Sequence, residues 1–213
     1  MNIMIAVYGM IGAILCVASD VLIGYMGDDN RKIGKRKNID SNWSKLSQRR
    51  ICLSFLLSLL GQPGTYLSVW AIGTLIGQNN RNLEIILKIG ICVAAYTGLL
   101  LHAAFCIKPL VYKKIMEKQD FELAEGTLET IDKILFIPVV LGVISLAGVT
   151  TVCIIMGIVT GAVNVPKILV LLNPITFMLL YKILERINRK LVIPGPMGLG
   201  FLGYAVILLV AST

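Results

Sequence analysis

The chain has 213 residues, of which 56% are apolar and 15% charged, with a mean hydropathy of +0.82 and a formal net charge of +8. A soluble domain of this size is about 45–50% apolar and about 25% charged, so the composition excludes a soluble enzyme or nucleic-acid-binding domain. The apolar residues, roughly 120 in all, are enough for six membrane spans of about 20 residues each.

The expected fold is therefore all-α, a polytopic transmembrane helical bundle. Its spans run over about 3–26, 52–77, 84–107, 134–158, 166–184 and 195–212 in a single integral membrane domain, 1–213. The first span, Ile3 to Met26, has no Lys or Arg before it and a strongly basic stretch after it. Those flanks are the reverse of a signal peptide's, and they predict a retained helix with its N-terminus outside. Gly9, Gly12, Ala13, Cys16 and Asp20 share one side of this helix, a small-residue stripe suited to packing against a neighbour. Asp20 carries an ionisable group into that stripe.

The second span contains Gly61-Gln62-Pro63-Gly64 near its middle. Proline removes a donor and frees a carbonyl one turn back, so Pro63 and Gly64 predict a helix break. The third span carries His102, the single histidine, on a face drawn through Cys92, Ala95, Leu99 and Cys106. Asp20 and His102 fall at similar depth, each about 8–9 Å from the basic end of its helix at about 1.5 Å per residue. The connection 108–133 is expected to be helical, with Ala124, Leu128, Ile131 and Leu135 on one stripe. Its Glu125, Glu129 and Asp132 lie off that stripe, a solvated face leaning on the basic first loop. The fifth span contains Asn173-Pro174, a second expected break. Gly198 to Gly203 in the sixth fits GxGxxG, but no strand precedes it, and close helix packing explains it better than a dinucleotide.

Charge decides the topology. The first connection holds Arg31, Lys32, Lys35, Arg36, Lys37, Lys45, Arg49 and Arg50; the third holds Lys108, Lys113, Lys114, Lys118 and Lys133; the fifth holds Lys182, Arg186, Arg189 and Lys190. Seventeen of the 20 basic residues thus fall on alternate loops, which are expected in the cytoplasm with both termini outside. The expected location is the cell (inner or cytoplasmic) membrane. Membrane lipids are the expected partners, with no nucleic acid, and the surplus apolar side chains face lipid or a second copy in a homo-oligomer. The five scattered cysteines contain no CxxC and read as apolar packing residues, so neither a metal nor another cofactor is expected.

The breaks at Pro63 and Pro174 fall in the second helix of each three-helix half, 1–107 and 134–213, joined by the connection 108–133. Halves of three spans run in opposite directions, and paired interruptions in inverted halves point to a transporter-type midplane site.

Ser19-Asp20-Val21-Leu22, the segment Pro63 to Trp70, and Leu101-His102-Ala103-Ala104-Phe105 resemble a family of uncharacterised bacterial polytopic membrane proteins of unknown function. The match lies in helices 1–3 and extends to the second half only by helix count. The resemblance implies a bacterial membrane protein in which Asp20 and His102 belong to one site; it implies no substrate.

Three readings follow. The leading one is a multi-pass protein that binds or transports a small molecule or ion through a cytoplasm-facing intramembrane cavity. Asp20, Gln62, His102 and Asn173 would line it, and the Asp–His pair would exchange a proton. The second is an intramembrane enzyme using Asp20 and His102 as acid and base on a lipid or isoprenoid headgroup, with Arg49, Arg50 or Arg186 holding a phosphate. The third is a structural or partner-binding membrane subunit. No residue is assigned to catalysis outright.

Overall fold

The structure is a computed structural model that describes residues 2–187 and 194–213. Arg189 and Lys190, two of the basic residues assigned to the fifth loop, lie outside the described residues. The described residues are almost wholly helical: α1 (Asn2–Gly24), α2 (Gln48–Gly77), α3 (Arg81–Met116), α4 (Phe121–Val143), α5 (Thr150–Val159), α6 (Pro174–Ile187) and α7 (Pro196–Ala211). One π turn, Ile144–Val149, joins α4 to α5, so Phe121–Val159 is a single rod of 39 residues. The helix starts are capped by short polar side chains. Ser47 Oγ accepts from Arg50 N at 3.3 Å, Asn80 Oδ1 from Leu83 N at 3.0 Å and Asp120 Oδ1 from Leu123 N at 2.9 Å. Each satisfies an amide that the helix itself leaves unpaired.

Four helices are long and apolar enough to cross a membrane: Asn2–Gly24, Gln48–Gly77, Arg81–Met116 and Phe121–Val159. These correspond to the first four expected spans. The fifth segment differs from expectation. It folds as a 3-10 turn, Lys167–Leu171, followed by α6 of 14 residues, and the sixth, α7, has 16. The expected break at Asn173-Pro174 is present in this sense: the 3-10 turn ends at Leu171 and α6 starts afresh at Pro174. Asn173 Oδ1 accepts from Thr176 N at 3.0 Å, and proline suits the first helical position because its missing N–H would be unpaired there anyway.

Pro63 is a correction. It lies inside α2, which runs unbroken through it. The flanking glycines serve close approach to α1: a Cβ at Gly61 would lie 2.6 Å from the Gly12 carbonyl oxygen, and one at Gly64 2.6 Å from that of Tyr8. With α2 continuous, only the second of the two expected interruptions is present, so they do not form a pair across the two halves.

The third connection also shrinks. α3 runs to Met116 and α4 starts at Phe121, leaving only residues 117–120 between them. At about 1.5 Å per residue α3 and the α4–α5 rod are about 54 and 58 Å long, well beyond a hydrocarbon core of about 30 Å. The excess builds a cap with the first loop, whose antiparallel strands β1 (Lys32–Ile33) and β2 (Ile39–Asp40) lead into a 3-10 turn, Ser41–Lys45. Ile39 and Trp43 pack on Tyr112, Ala124 and Leu128, the stripe expected on α4. Its acidic face meets the basic loop as expected: Arg36 pairs with Glu129 at 2.8 Å, and Glu125 accepts from the Lys35 amide. Asp132 takes Lys108 at 2.7 Å and also Asn38. In the same loop, Lys45 and Asn42 donate to Asp29 and hold its carboxyl below the usual carboxylate range.

The main core lies between α1, α2, α3, α5 and α7, around Ala13, Ile72, Leu87, Ile154, Tyr204 and Leu208. The small-residue stripe of α1 packs here as its spacing predicts, with Gly9, Gly12 and Ala13 buried against α2 and α7. Outside, large apolar side chains stand exposed: Ile134 at 71%, Phe136 at 66% and Ile137 at 65% on α4, with Ile85, Ile86 and Ile89 on α3. Polar residues such as Ser54, Thr65, Ser68 and Thr150 are fully buried instead. This distribution is the inverse of a water-facing surface.

Candidate functional site

The last turns of α1 place Ser19 and Asp20 side by side, and both reach His102 on α3. His102 Nε2 lies 2.8 Å from Ser19 Oγ and 3.3 Å from Ser54 Oγ of α2. On the other edge of the ring, Nδ1 lies 3.8 Å from Asp20 Oδ1. The structure thus brings together the two ionisable residues picked out in the sequence, and adds two serines that the sequence reading missed.

The serines fix the tautomer. Ser19 Oγ donates to the Ser54 carbonyl at 2.7 Å, and Ser54 Oγ donates to the Ser19 carbonyl at 2.8 Å. Two oxygens at such a distance need a proton between them, and each hydroxyl has only one to give. Toward His102 both hydroxyls can therefore only accept, so Nε2 carries a proton and donates it to Ser19. In neutral imidazole Nδ1 is then bare and faces the carboxyl of Asp20. At 3.8 Å the two groups do not hydrogen-bond, but a bare nitrogen and an ionised carboxylate repel, and a proton on either partner would relieve that.

Hydroxyl, imidazole and carboxylate in this order have the sequence of a hydrolytic triad, but the geometry denies that chemistry. The nucleophile of a triad donates to the imidazole and must reach a substrate carbonyl. Ser19 spends its proton on a main-chain carbonyl and is 0% exposed. It anchors His102; it does not attack.

A cavity of about 270 Å³ lies between α1, α2, α3, α4 and α7, and both Asp20 and His102 open onto it. Asp20 is the more accessible, with its side chain 34% exposed against 10% for His102. Gln62, Ser58 and Tyr66 of α2 supply further polar lining. Tyr66 OH donates to Gln62 Oε1 at 3.2 Å, and Gln62 Nε2 donates to Ser58 Oγ at 2.7 Å. Ser54, Ser58, Gln62 and Tyr66 recur at every fourth position, so one polar stripe about 18 Å long faces the cavity and its histidine. That spacing is the signal by which Ser54 could have been found; Ser19, on α1, has no such mark.

α3 presents Ala94, Thr97, Gly98, Leu101 and His102 to the cavity. The face drawn through Cys92 and Leu99 is incorrect, since both are exposed. Gly98 leaves room for the Tyr66 hydroxyl, which a Cβ there would strike. At the start of α7, Gly195 sits at φ +110° against Asp20; a Cβ there would lie 3.2 Å from Oδ2. The first turn of α7 therefore begins beside the carboxyl, where a helix N-terminus favours negative charge.

Asn173 does not join this site. Its amide donates to the Val170 carbonyl at 2.6 Å and to Thr176 Oγ1 at 2.9 Å, which completes its role as the cap of α6. Pro63, Gly64 and Pro174 also lie outside the lining. Arg50 donates to the carbonyls of Val21, at 3.3 Å, and Tyr25, neutralising the C-terminal end of α1. Among the described residues no Lys or Arg lines the cavity.

A family model matches residues 1–212, both halves of the chain rather than the first three helices alone. The chain belongs to a family of unknown function (DUF6796). No curated protein and no solved structure gives a match. Membership agrees with the expected resemblance to an uncharacterised family and, like it, supplies no substrate.

Proposed function

We propose that this DUF6796 protein is a multi-pass protein of the cell membrane that binds a small molecule or ion in its intramembrane cavity and carries it in exchange for a proton. The observation that carries the reading is the joint opening of Asp20 and His102, with Gln62, onto one cavity of about 270 Å³. An ionisable group at membrane depth costs at least about 2.5–3.5 kcal/mol, and a pair poised to share a proton beside a cavity is a use that repays it. In this reading the chain crosses six times, the fifth crossing made of the 3-10 turn and α6, the sixth of α7. Both termini lie outside, and the cap of β1, β2, α3 and α4 lies in the cytoplasm with the basic loops.

The headgroup enzyme finds no cation in the cavity lining among the described residues. Arg50 is committed to the end of α1, and the lining holds only Asp20 and His102 as ionisable groups suited to such chemistry. A purely structural subunit needs no such cavity.

Access is testable with one cysteine. In a variant whose five cysteines are replaced, Gln62→Cys in cells or inside-out vesicles should react with a small charged methanethiosulfonate added to the cytoplasmic face. A thiol unreactive from both faces would contradict a cavity open to ligand; reaction only from outside would reverse its orientation.

A further inference from the structure

The chemistry of the lining restricts what the cavity can hold; this inference deepens the cavity-binding reading and rests on it. Asp20 is the only carboxylate in the lining, and no lysine or arginine joins it among the described residues. The groups facing Asp20 can be taken element by element. α1 contributes Cys16; α2 contributes Tyr66, and one end of the site has Arg50, already bonded to the Val21 and Tyr25 carbonyls. α3 contributes His102, with Cys106 one turn on, and α4 and α7 add no titratable side chain to the lining. Ser58, Gln62 and Thr97 add neutral polar groups, and the rest is apolar or aromatic, with the rings of Tyr66, Phe105 and Phe201 around the space, Tyr66 and Phe201 edge to face at 5.7 Å.

We propose that the occupant is a small organic monocation, a protonated amine or quaternary ammonium with an apolar body, which displaces the proton held between Asp20 and His102. A metal ion would need several oxygen or nitrogen ligands at about 2.0–2.6 Å, and among the described residues no three His, Cys, Asp or Glu side chains are grouped to hold one. Among the described residues an anion meets no fixed cation in the lining. The Nε2 proton of His102 is already given to Ser19, and the start of α7 is turned toward Asp20 itself. A neutral ligand would leave the carboxylate unpaired in a low-dielectric space whenever the proton leaves. A monocation replaces the proton charge for charge, and its apolar body meets aromatic faces that attract cations. The space equals that of about nine waters at about 30 Å³ each, which suits a compact ion of that size.

Three probes of one shape separate the cases: benzyltrimethylammonium, benzyl alcohol and benzoate. Each is titrated into the full chain in lipid nanodiscs between pH 6 and 8, with empty nanodiscs subtracted. The cation should bind at least tenfold tighter than the alcohol, and benzoate should not bind. Because the cation and the proton compete, the cation's affinity should rise with pH, by up to tenfold per unit while the pair is still protonated. Asp20→Asn should abolish the preference for the cation and its pH dependence while benzyl alcohol still binds, which shows the variant is folded. Alcohol or benzoate binding as tightly as the cation would overturn the monocation and leave the cavity-binding reading standing. No binding by any of the three would overturn both.

Discussion

His102 is held from behind and free in front. Ser19 and Ser54 exchange hydrogen bonds across α1 and α2 through each other's carbonyls and leave only lone pairs for Nε2. Ser54 Oγ lies close enough, at 3.3 Å, to replace Ser19 as acceptor. Either single change to alanine should therefore cost less than the double change, which leaves a buried N–H unpaired at about 1–3 kcal/mol. A double-mutant cycle on thermal unfolding in detergent reads the coupling; additive losses would mean that the serines hold the helices and not the ring. Asp20 and His102 were legible in the sequence because each is an isolated ionisable group in an apolar run. The serines were not, because a serine inside a helix usually bonds its own helix, and only the fourfold spacing of Ser54, Ser58, Gln62 and Tyr66 marks the face of Ser54. Asn173 looked like a site residue by the same polarity, but an asparagine before a proline is a helix start.

At the scale of elements, two prolines that read alike do opposite things. Pro174 opens α6 behind its asparagine cap, whereas Pro63 sits inside α2 between glycines that let α1 approach. If the glycines matter for packing and the proline is merely tolerated, the substitutions separate them. Gly64→Val should destabilise the protein by about 1–3 kcal/mol through overpacking against α1. Pro63→Ala should raise stability, since the carbonyl one turn back regains a donor, and should leave benzyltrimethylammonium binding unchanged. Lost binding in Pro63→Ala with stability intact would give Pro63 a part in the site after all. Helix existence was legible from apolar runs of span length, and the first four spans fall where expected. Helix continuity was not: helix was expected in the connection 108–133, but not that it would extend α3 and α4 themselves, with Ala124 and Leu128 packed on Ile39 and Trp43.

At the scale of the molecule, the surplus of basic residues is gathered in large part at one end, where the first loop pairs with the acidic face of α4. Exposed isoleucines and phenylalanines cover the flanks of the bundle. The polar residues the apolar exterior cannot accommodate are drawn inward, and one set of them meets a cavity. The composition foretold this inversion; the convergence of α1, α2, α3, α4 and α7 on one space depends on close helix approaches that spacing alone does not fix.

The central claim is that His102 keeps its Nε2 proton and turns a bare Nδ1 toward Asp20, so that a second proton or a bound cation at Asp20 is felt at Nδ1. Because the chain has a single histidine, nitrogen-15 histidine labelling gives one imidazole signal pair in the whole protein. The account predicts the Nε2–H tautomer in the neutral ring, an Nδ1 resonance that moves with pH and on addition of benzyltrimethylammonium, and loss of that response to the cation in Asp20→Asn. An Nδ1–H tautomer, or an Nδ1 resonance indifferent to both the cation and Asp20→Asn, would contradict it.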